Sequence, residues 1–284
     1  MEKIYFYFLF FILFISPINS ISKDWRNYLS CKIGRLQSPI ELNEYESDYS
    51  NSFSFVYEYY NTGAQANLDN SYTKFWTITN GGYVNFEKQG VIKQYELQKI
   101  ELYNGIHKID GKLGDYELHL VHKKNLDFNS HKNQYRKIVD ANMYLTVVLR
   151  YKKNCNDTDI KCISDNGLLS TLIPTLSNPI NLNKYPIYQD KRAYFYEGSF
   201  LYTPCDENVN YYVVDDFFYS DVSEDNFNNA INDIDGFDDE TIQQKNKYGR
   251  PVLKNFMNYR EFLKSKNISI NMYYLILMIC LIFI

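Results

Sequence analysis

The chain carries no Pro-, Gly- or Ser-rich linker and no internal repeat, so nothing divides its 284 residues into modules. One large domain with its own core is the simplest organisation. It has no surplus of base either: the formal net charge is −4, which excludes the broad cationic surface that nucleic-acid binding requires. Long helical patterns are few. Histidine is scarce, with only His107, His119, His122 and His131 present, so a metal centre built on imidazole has little to draw on. The acidic stretch from Ser220 to Glu240 lacks the ligand spacing of an EF-hand loop and reads as a solvated loop and helix.

Both ends are apolar. Residues 1–22 open with Lys3, run uncharged from Ile4 to Ile15 and finish on the small residues Ser20 and Ser22, the pattern of a secretory signal peptide cleaved near Lys23. Residues 265–284 form an apolar tail with no charge from Ile270 to Ile284, shorter than a full spanning helix and with nothing polar behind it. Two readings stay open for it, a GPI-anchor signal and a short tail anchor. Residues 23–264 are then the exported domain, and the expected location is extracellular or at the cell surface. Of five cysteines, Cys280 lies in the tail, which leaves Cys31, Cys155, Cys162 and Cys205 in the domain. An even four in an oxidising compartment suggests two disulfides, with three pairings open. Asn156 and Asn267 begin acceptor sequons for glycosylation.

Short β-like runs dominate the interior. Phe53–Tyr57, Lys74–Ile78, Tyr83–Phe86, Tyr95–Leu102, Glu117–Val121 and Met143–Leu149 are bounded by turn residues such as Asn80-Gly81-Gly82 and Asp110-Gly111. They predict a mainly β (α+β) protein, its sheet mostly antiparallel with short peripheral helices.

Four ordered blocks converge on one family. Trp25, Cys31, Gly34 and Gln37-Ser38-Pro39-Ile40 come first. Ile109-Asp110-Gly111-Lys112 with Glu117-Leu118-His119-Leu120-Val121-His122 follows, then Asn181 to Pro186, then Tyr194 to Ser199 with Thr203-Pro204-Cys205-Asp206-Glu207. Together they resemble the α-carbonic anhydrases from about Trp25 to Arg260. The resemblance implies a twisted, mostly antiparallel central sheet of about ten strands. It also implies a Cys31–Cys205 disulfide, and Cys155–Cys162 is then a plausible local second bridge.

The family's carbon dioxide hydration needs zinc on three neutral histidines, because the metal must lower the pKa of its bound water to about 7. His119 matches one ligand, and Glu117 matches the acid that orients it. Counting forward from Gln98, the family's glutamine beside the other two ligands, places Ile100 and Leu102 at those positions, with Lys99 and Glu101 on the opposite face. Leu201 stands where a threonine should orient the zinc-bound hydroxide, Ile106 at its partner glutamate, and Tyr83 at the proton-shuttle histidine. His107 matches a buried structural histidine, while His122 falls on the other strand face from His119.

Metal binding, hydroxide orientation and proton export are thus expected to be missing together. The resemblance then implies a non-catalytic, exported protein with no cofactor, acting in binding or attachment. Its expected partner is a protein or glycan at the cell surface, with the membrane engaged through the tail or a lipid anchor. The competing expectation is a zinc-dependent carbonic anhydrase with an atypical ligand set such as His119, His122 and Glu101.

Overall fold

The structure, a computed structural model, describes residues 34–50, 53–59, 65–69, 74–88, 90–126, 142–153, 155, 162–172, 181–185, 191–202, 205–223, 225–226, 248–258 and 261. The expected signal peptide, the apolar tail, Cys31, Asn156, Asn267, His131 and most of the acidic stretch lie outside them.

Fourteen strands are present among the described residues. They are β1 (Asp48–Tyr49), β2 (Phe53–Tyr59), β3 (Gln65–Asp69), β4 (Lys74–Thr79), β5 (Gly82–Lys88), β6 (Val91–Asn104) and β7 (Lys108–Ile109). After these come β8 (Lys112–Leu113), β9 (Tyr116–Lys124), β10 (Tyr144–Tyr151), β11 (Cys162–Ser164), β12 (Ala193–Gly198), β13 (Val209–Tyr219) and β14 (Leu253–Lys254). A short helix, α1 (Leu168–Leu172), and a 3₁₀ turn (Leu182–Lys184) are the helical elements described in detail. Twelve strands join one mixed sheet whose main path runs β1-β14-β12-β13-β10-β9-β6-β4-β3, with β11 on β13 and the β2–β5 pair on β6. The mainly β expectation holds, and the sheet is mostly antiparallel with parallel pairs at β10–β13, β1–β14 and β11–β13.

The alternation in the sequence explains which side each residue faces. On β9, Leu118, Leu120 and His122 point one way and Glu117, His119 and Val121 the other, as a period of two requires. The first set joins the larger core with Ile100, Leu102, Leu145, Val147, Leu149, Trp76, Phe86 and Phe195. The second face carries Val148, Val209, Val213, Tyr194, Tyr196 and Tyr211 under Ile40 and Leu42. Because β9 is covered on both faces, seven of its nine residues are buried, Glu117, His119 and His122 among them.

The Gln37–Ile40 block crosses the end of β12. Gln37 Nε2 donates to Glu207 Oε1 at 2.9 Å, Ser38 N to Ser199 Oγ at 3.0 Å, and Ser199 N to Ser38 Oγ at 3.1 Å. A Cβ on Gly198 would lie 2.1 Å from Ser38 Oγ, so only glycine admits this approach. The Asp110-Gly111 turn joins β7 to β8 with both residues at positive φ, 49° and 75°, the pair of values a tight hairpin needs.

Cys155 and Cys162 form the expected local disulfide, Cα–Cα 5.8 Å. Cys205 is also disulfide-bonded; its expected partner Cys31 is outside the described residues.

Candidate functional site

The site is built across β6, β9 and the segment between β6 and β7. Glu117 is fully buried on β9 and accepts four hydrogen bonds. Ile106 N donates to Oε1 at 2.9 Å and His107 N to the same oxygen at 2.5 Å, while His107 Nδ1 and His119 Nε2 lie 2.7 and 3.0 Å from Oε2. His107 Nε2 meets the Tyr196 hydroxyl at 2.8 Å. Burial alone would push the Glu117 carboxyl up, but the charges and hydrogen bonds of His107 and His119 outweigh it and hold the group well below the usual carboxylate range. Burial lowers the pKa of His119, against the opposing pull of Glu117. With Nε2 on Glu117, Nδ1 is the nitrogen left to His119 for any further ligand.

The residues opposite His119 are not those the forward count gave. Leu97 pairs with His122 and Lys99 with Val121, so two steps on β6 match one on β9, and Gln98 is the extra residue of a β-bulge. Beyond it Glu101 sits directly opposite His119, with Lys99 and Tyr103 on the same face, while Ile100 and Leu102 point into the larger core. The expectation that Ile100 and Leu102 face the metal position is therefore corrected: one inserted residue turns every later side chain to the other face. Gln98 itself is half-buried at the bulge. The corrected register brings Glu101 onto the His119 face but leaves His122, the third member of the competing set, on the other. His122 lies on the far face, where its ring nitrogens meet the Tyr59 hydroxyl at 2.9 Å and Leu145 O at 3.2 Å.

Lys99, Glu101 and Tyr103 form a connected group. Lys99 Nζ lies 2.5 Å from Glu101 Oε1 and donates to the Tyr202 hydroxyl at 2.9 Å; the Tyr103 hydroxyl donates to Glu101 Oε2 at 3.0 Å. The Tyr103 ring packs on His119 with centroids 4.6 Å apart. Burial works to lower the Lys99 pKa, but Glu101 and Tyr202 outweigh it and the ammonium is held above its ordinary value. Ile106 and Leu201 do come together, packing with Tyr103 into a small apolar cluster beside this group. Tyr83 stands apart on β5, where its hydroxyl donates to Glu58. The sequence carried a signal for the bulge in its apolar phase: Tyr95 and Leu97 are buried on odd positions, Ile100 and Leu102 on even ones.

These residues do not fit the family's zinc centre. One imidazole with a free nitrogen faces the position where three are needed, and the Lys99 ammonium already occupies the carboxylate beside it, where a dication would meet a like charge. A different trio, His107, Glu117 and His119, has ligand atoms within 4.8 Å of one another and could hold a metal ion. Its two carboxylate oxygens, however, are taken by the four hydrogen bonds above.

This sheet, with a histidine and an orienting carboxylate at its centre, is a carbonic-anhydrase scaffold. The family model of eukaryotic-type carbonic anhydrases matches residues 20–266, and the chain belongs to that family. A carbonic anhydrase from Nostoc sp. is 25% identical over 186 residues, a stretch spanning 64% of this chain and 64% of that relative's length. The α-carbonic anhydrase of Thermovibrio ammonificans, solved with the inhibitor sulfanilamide, superposes with a TM-score of 0.57 at 22% identity over 80% of this chain and 90% of its own. Dioscorin, solved with ascorbate, gives a TM-score of 0.57 at 19% identity over 84% and 94%. At these identities the likeness to the solved structures is one of fold.

Proposed function

We propose that this chain is an exported carbonic-anhydrase-like protein that does not hydrate carbon dioxide and serves in binding or attachment at a cell surface. The observation that carries the acatalytic part is the β6 face opposite His119: it presents Lys99, Glu101 and Tyr103, not a pair of imidazoles. Without a metal to acidify water, the scaffold has no hydroxide to deliver. The tyrosine-rich composition, 28 residues, suits amphipathic contact with a protein or glycan partner. The apolar ends of the sequence suit export and anchoring through the tail or a lipid.

The test is metal content by mass spectrometry together with stopped-flow carbon dioxide hydration on the purified protein. The expected result is substoichiometric zinc and no rate above buffer. About one tightly bound zinc per chain, with hydration abolished by His119→Ala, would overturn the reading. The proximity of His107, Glu117 and His119 favours a second reading, an atypical metal site; zinc lost equally in His107→Ala and His119→Ala would select it.

A further inference from the structure

Lys99 is held in an unusual way for a lysine at a sheet surface. Its ammonium lies 4.5 Å from the Tyr202 ring centroid, 5.4 Å from Phe75 and 5.8 Å from Phe200, all within cation–π range. Glu101, with only 4% of its side chain exposed, supplies the counter-charge, and the Tyr202 hydroxyl accepts a further N–H. Three ring faces, one carboxylate and one hydroxyl converging on an ammonium are the elements of a cation-recognition cage. The bulge at Gln98 creates it by turning Lys99 and Glu101 onto the His119 face. The Tyr103 hydroxyl fixes the second carboxylate oxygen, so Glu101 is oriented even without its lysine.

We propose that Phe75, Phe200, Tyr202 and Glu101 form a cation cage beside the family's metal position, that Lys99 occupies it from within the same chain, and that the ligand class the cage takes is a primary alkylammonium. The inference rests on the metal-free reading of this face, because a dication and the caged ammonium exclude each other.

Lys99→Ala removes Cγ, Cδ, Cε and Nζ, and n-propylammonium supplies the same atoms. In the full chain, this variant is expected to lose thermal stability and regain it saturably with n-propylammonium chloride. Neither n-propanol nor sodium chloride at equal concentration restores it, and the wild type does not respond. Adding Glu101→Gln to the variant weakens the amine response about tenfold or more. A folded Lys99→Ala protein indifferent to the amine, or equally responsive to n-propanol, overturns the cage.

Should Lys99→Ala fail to fold even with the amine, acetylation of the wild-type lysines mapped by mass spectrometry decides the question. Lys99 is expected to react about tenfold more slowly than the exposed Lys112 and Lys123, and equal rates overturn the cage. Zinc and hydration measured on the same sample separate the two readings. Zinc-dependent hydration with Lys99 still shielded puts the metal away from this face, which sinks the acatalytic reading and spares the cage; zinc-free protein with Lys99 fully reactive sinks the cage alone.

Discussion

His122 should make this protein lose stability on mild acidification, and the size of the effect follows from its surroundings. The ring is fully buried on the large-core face, stacked at 6.0 Å on Tyr59 and bonded to the Tyr59 hydroxyl and Leu145 O. Both bonds are met by the neutral ring, with Nδ1–H donating to the carbonyl and Nε2 accepting from the hydroxyl. Burial lowers the pKa from 6.5 to about 4, against the opposing effect of the backbone carbonyls. The unfolded chain therefore takes up a proton below pH 6.5 that the folded chain refuses until about pH 4. Stability from this group is complete above pH 6.5, falls through that window and is lost below it. At 1.36 kcal/mol per pKa unit the whole effect is about 3 kcal/mol, of which about 2.5 kcal/mol is gone by pH 4.5. Urea unfolding of the wild type and of His122→Phe, each at pH 7.5, 6.0, 5.0 and 4.5, isolates it. His119 has the same sign but is common to both proteins, and Glu117 acts mainly at lower pH. The wild type should lose about 2.5 kcal/mol more than the variant between pH 7.5 and 4.5. Parallel pH profiles would refute the claim that a buried neutral imidazole governs this window.

Three further outcomes are expected. Glu117→Gln sets an amide NH₂ against either two backbone N–H groups or two imidazoles, which should cost about 3–5 kcal/mol in urea unfolding and make the loss of stability below about pH 4.5 shallower. Gly198→Ala places a methyl group 2.1 Å from Ser38 Oγ and 2.9 Å from the Tyr196 ring, and should cost about 1–3 kcal/mol in thermal unfolding by parting the Gln37–Ile40 block from β12. Lys99→His exchanges the caged cation for an imidazole on the same face as Glu101 and His119; zinc content after dialysis should rise to about one per chain, a two-histidine, one-carboxylate set, and no uptake would count against the assigned register.

Most of the sheet was legible because its strands alternate cleanly. Val84 and Phe86 face inward along β5, and β9 sends Leu118 and Leu120 one way and Glu117 and His119 the other. The contact of Glu117 with His119 was legible too: the family resemblance gave the pair its roles, and a separation of two residues on one strand puts both on one side. The residues opposite them were not. A strand read from Gln98 by strict alternation puts Ile100 and Leu102 beside His119, and that reading fails at a single inserted residue. The bulge falls where β6 changes neighbours, from β5 over Val91–Glu96 to β4 over Lys99–Leu102, a junction that only the assembled sheet reveals. Yet the apolar phase carried the information, because buried Tyr95 and Leu97 cannot share a face with buried Ile100 and Leu102 unless one residue is spliced between them. Once that phase change is taken seriously, the positions opposite His119 carry different residues. The face beside His119 carries not alkyl groups but a glutamate that meets both a lysine and a tyrosine. Such a set keeps the Lys99 ammonium beside the Glu101 carboxylate, and a carboxylate buried this far needs a paired positive charge to be tolerated.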